Sequence, residues 1–236
     1  MAFPLSNKNA NGATESNQVD KQVTKVSSPE STGSDVEKPE LPDNFGEVVK
    51  GVYRCSFPQP LNLPALEVLG LKTIITLVEE PYTQSHMLFL KEHAITHHRI
   101  AFIANKDATV RTPESVLHKI LEIILDKTNH PVLIHCNKGK HRTGCVIGCF
   151  RKLQGWDICD VLNEYVRYSY PKQRPLDEAF IEAFDPSRLA HLVQSSGAKL
   201  WHPTGAYSTV RQQQQNKDQK SPQHLLQLPS NGIRVS

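Results

Sequence analysis

The run PVLIHCNKGKHRTG, residues 131–144, constrains this chain more than any other. Val132, Leu133 and Ile134 make a short apolar stretch bounded by Pro131, the pattern of a buried strand. A loop rich in basic residues follows, with Gly139 at its centre. Behind it TGCVIGCFRKLQ reads as a helix that Gly155 stops. Strand, short loop and helix in direct succession leave little freedom. The strand belongs inside a sheet, the helix packs back across it, and the loop lies at the carboxyl end of the strand, where α/β sheets place their sites.

Such a loop suits an anion. Backbone N–H groups turned inward form a concave cradle, and the helix starting near Arg142 adds unpaired N–H groups and the positive end of its dipole. Arg142 can grip two oxygens of a tetrahedral phosphate in a planar fork. Cys136 lies at the base of the cradle, where ordered N–H groups and cations favour ionisation of a thiol. The spacing lets Cys136 attack phosphorus while Arg142 neutralises the equatorial oxygens. The hydroxyl of Thr143 is placed to hydrogen-bond the sulfur when it leaves.

Strands and helices alternate on either side of this motif. EVVKGVYRCSF is expected to be a strand; NLPALEVLG a short helix capped by Asn62; KTIITLV a buried strand; TQSHMLFLKEHA a helix; and ITHHRIAF an extended segment. Thr112 and Pro113 open a helix with Val116, Leu117, Ile120, Leu121 and Ile124 on one face, and two or three helices follow Gly155. The fold class is α/β, a mostly parallel central sheet flanked by helices. Residues 43–196 form the expected domain. Residues 1–42 hold too few large apolar side chains to offset ordering entropy, and residues 197–236 carry a glutamine run; both are expected to be disordered tails, with Trp201 and Tyr207 able to dock and the tails able to recruit protein partners.

Bulk properties narrow the classes. A net charge of +3 is too small for a general nucleic-acid binder, so any cationic site is local. The five cysteines are irregularly spaced, which favours reduced thiols over a disulfide framework. No apolar run is long enough to span a bilayer, and no apolar leader, N-terminal myristoylation or C-terminal prenylation signal is visible, so a cytoplasmic protein without membrane insertion is expected. Cys145 and Cys149, one helical turn apart, read as small core residues, as do Cys55 and Cys159. His135, Cys136 and His141 lack the paired spacing of a zinc site. His97 and His98, adjacent in a strand, point to opposite faces and share no metal.

Phosphoryl transfer also calls for a proton donor. Asp107, in the polar loop ANKDATV, is the candidate. Asp126, at a helix end, competes with it, and a loop Asp is in general a turn former.

The string HCNKGKHRTGCVIGCFRKLQGW, with GVYRCSFP before it and NEYVRYSYPKQRPLDEAFIEAFD after it, resembles the plant and fungal atypical dual-specificity phosphatases, a branch of the cysteine-dependent phosphatases. The resemblance spans about residues 43–190. It implies a metal-free, cofactor-free hydrolase that removes the terminal phosphate of inositol pyrophosphates through a phosphocysteine. Relatives often carry GNKEPF where this chain has ANKDAT, so Asp107 stands in place of a Glu. The site expected on this reading has Cys136, Arg142, Thr143 and Asp107 in catalysis. His135, Asn137, Lys138, Gly139, Lys140, His141 and Gly144 form the binding loop. Asn105, Lys106, Lys172 and Arg174 form a basic rim if YPKQRPLD folds over the loop. A phosphoprotein or phosphoinositide is the alternative substrate, and a non-catalytic phosphate-binding adaptor the alternative function.

Overall fold

The computed structural model describes residues 39–207. Its centre is a five-stranded sheet in the order β1-β2-β5-β3-β4, made of β1 (Gly46–Val49), β2 (Val52–Cys55), β3 (Thr73–Thr76), β4 (Thr96–Arg99) and β5 (Val132–His135). Only β1 runs antiparallel; β2, β5, β3 and β4 are parallel. The apolar run at 132–134 is therefore the middle strand. Cys55 pairs with His135 on one side and Thr76 with His135 on the other, so three strands end abreast on one rim.

Helices cover both faces, which is why the strands are buried runs and do not alternate. On one face α1 (Leu63–Glu67) and α2 (Gln84–Glu92) bring Leu66, Phe89 and Leu90 against Tyr53, Ile74 and Leu133. On the other, α3 (Glu114–Leu125), α4 (His141–Gln154) and α7 (Ala190–Ser196) pack against Val52, Ile75 and Ile134. Leu117, Ile120, Leu121 and Ile124 of α3 are buried as its periodicity predicts, and Val116 is half-buried at their margin. Beside α4 lie α5 (Ile158–Ser169) and α6 (Pro175–Ala183), with Val161, Tyr165 and Ile181 in a smaller cluster.

Three expectations are corrected. EVVKGVYRCSF is a hairpin and not one strand: Lys50 and Gly51, the latter at φ +80°, turn the chain between β1 and β2. Cys159 is exposed rather than a core residue; it lies in the first turn of α5, where the side chain of Asp157 accepts its N–H at 2.8 Å. The packed chain also extends past both expected boundaries. The Glu40 carbonyl accepts from Asn62 at 2.8 Å, and Gln154 donates to the carbonyls of Ala198 and Trp201 at 2.8 and 3.0 Å. The remainder of the expected tails lies outside the described residues. No helix among the described residues is long and apolar enough to cross a membrane.

A buried ion pair fixes α4, and with it the loop it carries. Arg151 donates to both oxygens of Glu164 on α5 at 2.8 and 3.1 Å, to the Val48 carbonyl on β1 at 2.9 Å and to Gln154 at 2.8 Å. Truncating Arg151 to Ala strands a carboxylate in the interior. It is expected to cost about 3–5 kcal/mol, read from the midpoint of urea unfolding.

Candidate active site

The rim of the sheet and the start of α4 enclose the loop from Asn137 to Lys140. Cys136, 3% exposed, stands at its base, one residue beyond β5. The backbone of this loop is sorted into two sides. Four consecutive carbonyls are satisfied by the protein: that of Asn137 by Phe57 N–H at 3.2 Å, Lys138 by the Asn44 side chain at 3.1 Å, Gly139 by Arg54 at 2.9 Å and Lys140 by Gly144 N–H at 2.9 Å. In the peptides that carry the first three of these carbonyls, the N–H groups of Lys138, Gly139 and Lys140 donate to no described residue. A trans peptide points its C=O and N–H in opposite directions. Carbonyls held outward therefore turn amides inward, toward the space above Cys136.

Gly139 makes the turn possible. It has φ +63°, and a Cβ there would lie 2.5 Å from the carbonyl atoms of Cys55 and 2.7 Å from Ser56 N. The loop thus rests directly on the end of β2. The Cys55 thiol beneath it is pushed up in pKa by burial and by the charge of neighbouring Cys136, and stays protonated.

His135 is wholly buried. Its Nε2 lies 2.6 Å from the Tyr82 hydroxyl and 2.9 Å from Thr76 Oγ1. Burial lowers its pKa to about 3, so the ring is neutral and accepts from Tyr82, whose own hydroxyl burial holds protonated. The Tyr82 ring stacks on His97 at 4.5 Å and on His86 at 4.6 Å. This seam of rings backs the nucleophile's strand.

The other expected residues divide clearly. Arg142 is half-buried in the first turn of α4 and its guanidinium makes no hydrogen bond among the described residues. Asn137 turns its side chain outward, donating to Glu80 at 2.7 Å. That hydrogen bond, first among the causes, holds the Glu80 carboxyl below its usual pKa, and Arg142 is close enough to add to the effect. Lys140 donates to the Tyr170 carbonyl at 2.8 Å, and His141 bonds the Lys172 carbonyl. YPKQRPLD therefore does fold against the loop, which brings Lys172 and Arg174 to its rim; Arg174 lies within electrostatic reach of His141. Lys106 and Lys138 are exposed.

Three expected roles do not match the geometry, and a fourth side chain, Thr143, is rotated away from its expected partner. Gly144 does not face the cradle; a Cβ there would meet the Tyr165 ring at 2.8 Å, so this glycine lets α4 approach α5. Asn105 is buried and donates to Asp177 at 3.0 Å and to Cys145 Sγ at 3.5 Å, which anchors its loop to α6 and α4. Thr143 Oγ1 is buried without a partner, so its expected bond to Cys136 is not formed; a helical Thr has two accessible χ1 wells, and the one adopted leaves the hydroxyl unpaired. Asp107 is exposed and accepts from Thr109 N–H and Oγ1, both at 2.8 Å, which hold it ionised. It lines a cavity of about 460 Å³ with Arg111, Leu117 and Phe180, to which no residue of the 136–143 segment contributes. Asp126 makes the same turn with Thr128. Asn44, Arg54, Glu80 and Tyr82 were not anticipated. Only Arg54 left a signal, a cation inside an otherwise buried strand.

The sequence profile of the tyrosine phosphatase family matches residues 41–202. The chain belongs to the tyrosine phosphatase family. Within it, the chain is 44% identical over 163 residues to inositol diphosphatase SIW14 of Saccharomyces cerevisiae, covering 69% of this chain and 57% of that protein. It is 45% identical over 154 residues to inositol diphosphatase DSP1 of Oryza sativa subsp. japonica, covering 65% of this chain and 69% of the relative. Among solved structures, the core catalytic domain of the S. cerevisiae PP-IP phosphatase SIW14, in complex with citrate, superposes with a TM-score of 0.64 at 40% identity, covering 70% of this chain and 99% of that one. The chain thus spans little more than half the length of the yeast relative, though nearly all of its solved core.

The neutral His135 sets a pH dependence. Its folded pKa, about 3, lies below the ordinary 6.5, so the unfolded chain binds a proton that the native state refuses. Stability present above pH 6.5 is lost as pH falls toward 3. The urea midpoint is expected to decline through that window, and His135→Gln to flatten the decline.

Proposed function

We propose that this chain is a metal-independent phosphatase that removes the terminal phosphate of an inositol pyrophosphate through a phosphocysteine intermediate. The observation that carries the reading is the sorting of the loop backbone around Cys136, with four carbonyls bound outward and the amides of Lys138, Gly139 and Lys140 left for a ligand. The substrate class is supported by the inositol diphosphatase names of the relatives at 44% and 45% identity.

In the first step the Cys136 thiolate attacks the terminal phosphorus in line. An S–P bond forms, the P–O bond to the bridging oxygen breaks, and its electron pair leaves with the inner phosphate. The inward amides and Arg142 hold the three non-bridging oxygens as charge redistributes. A phosphate is a stable leaving group without protonation, so no carboxylic acid is required of the protein; Asp107, ionised and bound to Thr109, is given no part in this step. In the second step water attacks phosphorus, the S–P bond breaks, orthophosphate departs and the thiolate returns. Thr143, with its unpaired buried hydroxyl, is the donor for the departing sulfur after a rotation about χ1.

Lys138, Lys106, Lys172 and Arg174 give the rim the positive potential that a polyanion rewards. The nucleophile requires a reducing compartment, and all five cysteines are free, which fits a cytoplasmic enzyme.

The test is phosphate release, in the presence of a chelator, from a diphosphoinositol polyphosphate and from a phosphotyrosine peptide side by side. The first is expected to be the better substrate; predominant peptide turnover would overturn the substrate class. Cys136→Ser is expected to lower turnover by on the order of 10⁴-fold, and Arg142→Lys by about 10²–10³-fold. An unimpaired Cys136→Ser chain would sink the mechanism. Glu80→Gln removes a negative charge facing Arg142 and is expected to lower KM for the polyanion by a few-fold, with kcat nearly unchanged.

A further inference from the structure

The inward direction of the loop amides has a cause outside the loop. Of the four bound carbonyls, two are held by main-chain N–H groups and two by side chains from the hairpin region, Asn44 and Arg54. These two hold consecutive peptides, and so govern the amides of Gly139 and Lys140.

Both side chains are built in tightly. Arg54 is 1% exposed, in the middle of β2, a strand whose four residues are all buried. Its guanidinium lies 3.6 Å from the centroid of the Tyr168 ring on α5 while Nη2 donates to the Gly139 carbonyl. Tyr168 in turn covers Gly46, where any Cβ would collide with the phenol hydroxyl. Asn44 has φ +59° and donates from one amide nitrogen to both the Lys138 and the Tyr168 carbonyls, at 3.1 and 3.0 Å. The charge of Arg54 helps keep the buried Glu164 carboxylate ionised. Its guanidinium also meets the outer side of the cradle at the Gly139 carbonyl, and its field reaches the thiol of Cys55.

We propose that Asn44 and Arg54 are positioning residues for phosphoryl transfer: by binding the Lys138 and Gly139 carbonyls from outside, they keep the amides of Gly139 and Lys140 aimed at the phosphoryl oxygens, and Arg54 adds a fixed positive charge beneath them. Neither touches the substrate. The inference rests on the phosphatase reading given above, and on the loop backbone that supports it.

The experiment pairs three variants of the full chain with two readouts. Asn44→Gly deletes the side chain and keeps the left-handed backbone available. Arg54→Lys keeps the charge and loses the planar fork; Arg54→Met keeps the length and loses both. Circular dichroism and thermal melting establish that each is folded. The first readout is kcat and KM for an aryl phosphate. The second is binding of inorganic orthovanadate, followed through the amide resonances of Gly139 and Lys140 in isotope-labelled protein. Arg54→Met is expected to lose on the order of 10²-fold in kcat/KM, chiefly in kcat. Asn44→Gly is expected to lose about 10-fold with little change in melting temperature, and Arg54→Lys to recover part of the Arg54→Met loss. In each, vanadate should bind more weakly and the two amides should shift less than in the native chain. Folded variants with native kcat/KM, native vanadate affinity and native amide shifts would overturn the proposal. A native chain that binds vanadate with the amide shifts, loses them in the variants, and yet turns over no phosphate ester would leave the positioning intact and overturn the phosphatase reading instead.

Discussion

The position of β5 in the sheet is the constraint on which the rest depends. It lies between β2 and β3, hydrogen-bonded in parallel register on both sides. Strand periodicity means that a slip of one residue would turn His135 and Cys136 to opposite faces. With a neighbour on each side and helices above and below, no such slip is available. The ends of β2, β5 and β3 form one rim, and Cys55, His135 and Thr76 stand abreast on it. From that rim Thr76 reaches the His135 ring and the Cys55 backbone supports Gly139. The nucleophile is placed by the sheet before any loop residue acts.

What surrounds it is mostly fixed dipole rather than mobile charge. Two basic side chains of the loop, Lys140 and His141, are engaged with the carbonyls of Tyr170 and Lys172. They tie the segment after α5 to the loop and so shape the mouth. The groups left for an anion are the three loop amides and Arg142, held in place before a ligand arrives. Donors that need no reorganisation stabilise developing charge better than flexible ammonium groups do.

The sequence showed the strand, loop and helix around Cys136 because each announces itself locally: an apolar run, a glycine among cations, a periodic helix with a glycine stop. It showed the two-sided sheet for the same reason. The hairpin was hidden because EVVKGVYRCSF reads as one alternating run, and Gly51 alone marks the turn between β1 and β2. Asp107 misled because an acid in a loop near a phosphate site is chemically attractive, whereas the local pattern Asp-x-Thr describes a turn, and the same pattern recurs at Asp126. Asn44, Arg54 and Glu80 were illegible from spacing. Each meets the loop only through the tertiary fold, across sequence separations of 94, 85 and 57 residues.

The final stretch of described chain has a bearing on all this. His202 accepts from Lys50 N–H at 2.9 Å, Thr204 binds Glu47 through both its N–H and its hydroxyl, and Tyr207 packs edge-on against Phe45 and Tyr53. Residues 202–207 are thus a clasp on the outermost strand pair, the same pair that supports the cradle from behind. Loosening the clasp would leave the central sheet and its two apolar layers intact while letting the hairpin breathe. Damage at the far end of the domain should then appear as a catalytic fault well before it appears as a folding one.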